Sequence, residues 1–335
     1  MTKSNDSNPD TLRLSGESAV PSQKRSSWIR AILNGEFLIR KWINPQRFLP
    51  LAFLVLLLAL IATFRHFGFD LEPPEGLRGR YPEEIADGWG LWYWAAKFQL
   101  NFNLYLFLIN ICLSIQILLL AFPKKPRTQV WAASIIMAGY CILWFLFGQS
   151  RYGMAIILII MGIASNSPLW LLLLGIIAVL IHKATAGGLL LVFGWLLLRQ
   201  KKYGFVIALL FSGVLTYLVL QQAQNILILA NYENYSNWEK LPPSITPLKY
   251  YYCIGCFLIG WIRKETEARS LLILALLFLP TSYFLVFAGR AFDIFALILL
   301  FYLISGRVSK PLTYLLLIPF VVDLIHLVFA SGLYL

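Results

Sequence analysis

Arg151, His182 and Lys183 stand at the two ends of one apolar hairpin, GQSRYGMAIILIIMGIASNSPLWLLLLGIIAVLIHKATAGG, which runs from Gly148 to Gly188. An arginine that opens a helix after Gln149-Ser150 offers a planar fork of donors beside the N–H groups of the helix terminus, and both suit phosphate oxygens. His182 ends the run LLLLGIIAVLI. A neutral imidazole takes a proton from a hydroxyl near pH 7, and a protonated one binds phosphate. Gly187 and Gly188, just beyond, permit close backbone approach. Arg290 and Asp293, spaced i, i+3 in AGRAFDIF, are either a self-contained ion pair or a second phosphate clamp in which the aspartate orients the arginine. Asp323 and His326 have the same spacing and are read as structural.

The acidic candidates lie earlier, between His66 and Asn103. Glu83, Glu84 and Asp87 are possible general bases, or metal ligands if paired. Asp87 is favoured because it adjoins Trp89, Trp92, Tyr93 and Trp94, where a sugar ring could stack.

The elements that must position these groups follow from composition. The chain has 335 residues, is 59% hydrophobic and 13% charged, and has a mean hydropathy of +0.72. Soluble domains are nearer half apolar and a quarter charged, and here apolar runs of bilayer length recur, so the expectation is an all-α polytopic membrane protein. The net charge of +12 sits mainly in short gaps between apolar segments, the pattern of loops that set topology, and argues against a nucleic-acid partner. Of four cysteines, Cys253 and Cys256 form a C-x-x-C, but without a second pair they read as packing residues.

Residues 1–25 are polar and are expected to form a disordered cytoplasmic tail. Residues 26–47, with Trp28, Ile29, Ile32, Leu33, Trp42 and Ile43 among Arg30, Arg40, Lys41 and Arg47, suggest an amphipathic helix on an anionic inner leaflet. Residues 48–335 form the transmembrane domain. Spans are expected near Phe48–Phe64, Leu104–Phe122, Val130–Phe147, Tyr152–Ala164, Leu169–Ile181, Ala184–Leu198, Phe205–Leu220, Tyr250–Ile262, Ser270–Ala288, Ala291–Ile304 and Pro311–Ala330. Several fall short of the ~20 residues of an ordinary crossing.

With the N-terminus inside, Lys124-Lys125-Arg127, Arg199-Lys201-Lys202, Arg263-Lys264-Arg269 and Arg307-Lys310 all fall on inner loops, and the C-terminus lies outside. Arg151, Lys183 and Arg290 then fall at the outer face. Two larger outer loops remain, 66–103 and Gln221 to Lys249; the second carries Asn231, Tyr232, Tyr235 and Trp238.

An arginine entering a short helix as R-x-x-x-A (Arg151 to Ala155), followed by an apolar helix that ends in His182-Lys183 and small residues, resembles the EpsG-type polysaccharide polymerases, relatives of the Wzy O-antigen polymerases. Asp87 to Tyr93 is similar to the family's acidic residue followed by aromatics, and Arg290 to its late outer arginine. The resemblance covers most of residues 50–305. Tyr152 stands where the family commonly has glutamine, and the aromatics after Asp87 are irregularly spaced.

The resemblance implies a GT-C-like or polymerase-type bundle of about eleven helices in a bacterial plasma membrane. It implies transfer of an oligosaccharide repeat from a polyprenyl-diphosphate carrier onto the sugar end of another lipid-linked repeat, at the outer face. Arg151, Lys183 and Arg290 would then hold the diphosphate, Asp293 would orient Arg290, and His182 or Asp87 would be the base. No cofactor or metal is required if the cations suffice. The partners implied are the lipid-linked donor and acceptor, membrane lipids, a flippase and a chain-length regulator. Two other functions fit parts of the pattern. One is a polyprenyl-phosphate-sugar glycosyltransferase using Asp70-Leu71-Glu72 or Glu83-Glu84 with a divalent metal. The other is a transporter or flippase of lipid-linked sugars, although the ionisable residues gather at one face and no internal repeat is seen.

Overall fold

A computed structural model of the chain describes residues 45–64, 102–121, 127–147, 149–165, 167–182, 184–229, 246–265, 267–283 and 285–330. Among these residues every regular element is helical. In chain order they are α1 (Pro45–Thr63), α2 (Phe102–Ala121), α3 (Thr128–Tyr140), α4 (Ser150–Ala164), α5 (Pro168–Ile181), α6 (Thr185–Leu198), α7 (Gly204–Leu229), α8 (Thr246–Ile262), α9 (Ala268–Phe278), α10 (Leu285–Ile304) and α11 (Lys310–Ala330). A π-helical segment, Cys141–Leu146, prolongs α3, and a 3₁₀ turn, Leu279–Tyr283, prolongs α9.

Three of the helical stretches, Leu104–Ala121, Thr128–Leu146 and Gly204–Gln221, are long and apolar enough to cross a membrane. Shorter apolar helices accompany them, which is compatible with a multi-pass membrane protein. The expected tail 1–25, the interfacial helix up to residue 44 and the first outer loop from residue 66 to 101 lie outside the described residues.

The chain divides into two units, Met1–Leu54 and Val55–Leu335. The described part of the first is the start of α1. In the second, the apolar middle of α9 and the C-terminal part of α10 are buried on all sides and form the core: Leu271 to Ala275 and Phe295 to Leu300 are fully buried. Isoleucines 156, 157, 159 and 160 of α4 pack into the same cluster. In contrast, α5 and α7 turn large side chains outward, among them Leu172, Leu180, Leu210, Val214 and Tyr217. Single helices satisfy their own backbone hydrogen bonds, so this outward apolar surface is stable in a hydrocarbon solvent.

A few polar side chains join helices across the apolar packing. Asn110 Nδ2 on α2 donates to Thr63 Oγ1 on α1 at 3.1 Å, and that hydroxyl donates to the Ala59 carbonyl at 2.7 Å. Trp195 Nε1 on α6 donates to the Ser270 carbonyl on α9 at 2.9 Å, and the Tyr252 hydroxyl on α8 donates to the Leu315 carbonyl on α11 at 2.9 Å. Each places a hydrogen bond where an unsatisfied polar group would be costly.

Two boundaries differ from the sequence expectation. The span expected over Ser270–Ala288 stops at Phe278, and Leu285 to Ala288 already belong to α10. Pro280 has no N–H to donate, while the Thr281 and Ser282 hydroxyls donate back to the Phe278 and Leu279 carbonyls, tightening the chain into the 3₁₀ turn. The second difference is α7, which continues past Leu220 through QQAQNILIL to Leu229 because glutamine, alanine and leucine all favour helix.

The π segment ends where α4 begins. The Phe147 N–H donates to the Ile142 carbonyl at 2.9 Å, an i to i+5 bond that widens the turn. The wide turn brings Phe145 against α4 so closely that a Cβ on Gly153 would lie 2.3 Å from the Phe145 Cβ. Gly153→Ala should therefore destabilise the protein by about 1–3 kcal/mol through overpacking. Gly187→Ala, with nothing within 4 Å of its added carbon, should be neutral or up to about 1 kcal/mol stabilising. Thermal denaturation of the two variants in detergent checks the contrast.

Candidate functional site

α4 carries no side-chain cap at its N-terminus. Gln149 occupies the cap position, and the Ser150 hydroxyl turns back to the Leu146 carbonyl at 3.1 Å. Arg151 sits in this first turn and is only 6% exposed. The helix terminus and the guanidinium therefore contribute positive charge at one place in a largely apolar setting, which strengthens their attraction for an anion.

Tyr152 connects this turn to the other candidates. Its ring is buried, with its centroid 5.0 Å from that of His182, and its hydroxyl donates to the Arg290 backbone carbonyl on α10. On its other side the ring meets Phe145 of the π segment edge-on at 6.1 Å. The start of α4, the end of α5 and the first turns of α10 thus meet around one tyrosine. His182 closes α5: its N–H donates to the Ala178 carbonyl at 2.9 Å. Its own carbonyl accepts from both the N–H (3.0 Å) and the hydroxyl (2.8 Å) of Thr185 at the start of α6, which fixes the link between the two helices.

Asp293 stands one turn further along α10 than Arg290. Its carboxylate is 3% exposed and accepts from the Tyr140 hydroxyl at 2.6 Å and Trp144 Nε1 at 3.0 Å, so it joins α10 to the end of α3 and to the π segment that prolongs it. An i, i+3 partner competes with donors from a neighbouring helix, and in this packing the two aromatic donors reach both carboxylate oxygens. Among the described residues the Arg290 guanidinium, which is half-buried, has no carboxylate partner.

Asp323 likewise pairs across helices, with Lys249 Nζ of α8 at 2.5 Å, instead of with His326. The same ammonium lies 4.9 Å from the centre of the Phe292 ring. This fits the structural reading of Asp323 with a different partner.

Asp87 and Lys183 lie outside the described residues, as do Glu83, Glu84 and the second-loop aromatics. Gly188 serves packing: a Cβ there would meet Ile294 Cδ1 at 2.2 Å, so α6 rests directly on α10. Cys253 and Cys256 are free thiols buried in α8. Among the described residues no three of His, Cys, Asp and Glu gather in a group able to hold a metal ion.

The sequence reading missed Tyr152, Tyr140, Trp144 and Thr185. Tyr140 and Trp144 are four apart in an otherwise apolar stretch, and this spacing of polar-tipped aromatics is a signal for a buried acceptor on a neighbouring helix. Tyr152 had only its place beside Arg151 to mark it. Comparison of the chain with family models, with curated proteins and with solved structures returns no match.

Asp293→Ala should destabilise the protein by about 1–3 kcal/mol for each of the two donors left without an acceptor. In that background Tyr140→Phe should cost much less than it does in the parent protein. A double-mutant cycle read by thermal denaturation measures this coupling, and additive effects would show that the tyrosine and aspartate do not interact.

Proposed function

We propose that this chain is a polysaccharide polymerase of a bacterial plasma membrane, with its N-terminus cytoplasmic and its C-terminus outside. It transfers an oligosaccharide repeat from a polyprenyl-diphosphate carrier onto the sugar end of a second lipid-linked repeat at the outer face. The observation that carries this reading is the meeting of the first turn of α4, which holds Arg151, with the His182 ring and the Arg290 backbone carbonyl around Tyr152.

The reaction breaks the bond between the anomeric carbon of the donor repeat and its diphosphate oxygen. It forms a bond from that carbon to a hydroxyl oxygen of the acceptor. The bonding pair leaves with polyprenyl diphosphate, so negative charge grows on the leaving phosphate. Arg151 at the α4 N-terminus, Arg290 and Lys183 supply the matching positive charge, which is most effective where water is scarce. The acceptor hydroxyl loses its proton to His182 or to Asp87, and base and cations must therefore share one site. The ring contact with Tyr152 and the Thr185 hydrogen bonds to its carbonyl hold His182 in place for that step. Three cations take the role that a divalent metal has in other sugar-diphosphate chemistry.

Polymer length in cells lacking the native gene provides the test. Arg151→Ala and His182→Ala should each abolish long polymer at normal protein level, and full-length polymer with either variant would overturn the site assignment. In membranes supplied with lipid-linked repeats, polymerisation should persist in EDTA. Loss of activity that returns with a divalent ion would favour the metal-using, polyprenyl-phosphate-sugar class.

A further inference from the structure

At the face opposite Arg151, α6 and α7 are joined by a turn of five residues, Arg199 to Tyr203, and a groove of about 310 Å³ opens between the two helices and α9. Leu190, Gly194 and Leu198 of α6, Ile207 and Phe211 of α7, and Leu277 of α9 line it. At position 194 an added Cβ would have only Leu277 Cδ1 within 4 Å, at 3.9 Å, so the glycine leaves this side of α6 open. It opens toward the apolar surroundings, with Leu190 and Ile207 well exposed.

The turn at its end is both basic and held in place. The Lys201 N–H donates to the carbonyl of the groove residue Leu198 at 3.0 Å, and Ile207 N–H donates to the Tyr203 carbonyl at 3.0 Å. Arg269, in the first turn of α9, donates from Nη2 to the Lys201 carbonyl at 2.8 Å and to the Lys202 carbonyl at 2.7 Å. Arg199 turns the other way, to the Tyr302 hydroxyl at 3.1 Å and the Trp195 ring. Lys201 and Lys202 are left exposed at the groove's end, with Lys202 Nζ 5.7 Å from the centre of the Tyr203 ring.

We infer that this groove and turn form a binding site for an anionic phospholipid of the leaflet that faces the basic loops. One acyl chain lies along Gly194 between α6 and α7, and the phosphate sits between Lys201 and Lys202. An apolar channel alone accepts any lipid chain. The two exposed lysines of the turn that follows Leu198 add charge complementarity, and tyrosine beside them is the side chain suited to the headgroup level. The site lies at the other end of the helices from the proposed transfer chemistry. It rests on the membrane reading and not on the polymerase reading.

Native mass spectrometry of the full chain, released from nanodiscs of equal parts phosphatidylglycerol and phosphatidylcholine, tests the site without any glycosyl transfer. One phosphatidylglycerol should remain bound per chain in preference to phosphatidylcholine. Lys201→Gln with Lys202→Gln should reduce that preference about thirtyfold, the two lysines together favouring an anionic headgroup by about 2 kcal/mol. Gly194→Leu should remove the retained lipid by filling the groove. Equal retention of the two lipids, or retention unchanged in both variants, overturns the site. A dimer that Gly194→Leu converts to monomer overturns it in favour of a second copy of the chain. Failure to enter nanodiscs overturns the membrane reading with it.

Discussion

A carboxylate almost sealed from solvent in the core helix is the constraint from which the geometry of the site follows. Asp293 can occupy α10 only if donors reach it, because an unsatisfied carboxylate in apolar packing is among the costliest features a fold can carry. Tyr140 at the end of α3 and Trp144 in the π segment meet that need, which fixes this stretch against α10. The chain then passes through the π segment into α4, and Tyr152 returns to α10 at the Arg290 carbonyl, three residues before Asp293. α10 is thus held by its side chain from one helix and by its backbone from the next. Arg151 lies at the turn between these two attachments, so its position depends on both.

Aromatic side chains supply most of the polar contacts near this site and in the core. Tyr140, Tyr152, Trp195 and Tyr302 bury their rings, Trp144 half-buries its own, and each engages a hydroxyl or indole N–H with another element. In an apolar bundle such residues combine packing area with a single directed hydrogen bond, and they avoid the desolvation cost of a further charge. Charged pairs are kept nearer the helix ends: Lys249 with Asp323 at one end, and Arg307 with Glu267, at 3.4 Å, at the other. The described cations therefore differ in kind. Lys249 is neutralised within the protein, whereas the Arg290 guanidinium has no carboxylate partner among the described residues.

The eleven helices were legible in the sequence because each is an apolar run bounded by polar or basic residues, and a hydrophobic period needs no partner to be recognised. The boundary at Pro280 was not, since apolar residues continue on both sides and only the missing N–H and the two hydroxyl back-bonds end the helix. Arg151 and His182 were identifiable as polar ends of one hairpin. Tyr152 was not, because its importance lies in contacts with two elements, one of them 138 residues away, at Arg290. Asp293 illustrates the same limit: local spacing suggested Arg290, while its partners come from a helix about 150 residues earlier in the chain. Gly188 looked like space for a ligand and is instead space for Ile294.

The lengths of α4, α5 and α6 have a mechanical consequence. With 15, 14 and 14 residues, they extend only about 21–23 Å at 1.5 Å per residue, against a hydrocarbon thickness of about 30 Å. In the membrane setting proposed above, tilt would only shorten their reach further, so the lipid would thin beside the outward face of α5. The polar boundary of the bilayer would then dip where Arg151 and His182 stand, forming a local depression. In the proposed reaction, a diphosphate headgroup drawn into it would reach Arg151 without its hydrocarbon chain leaving the membrane. The chain would thus shape the surrounding lipid at the place where it presents its charge.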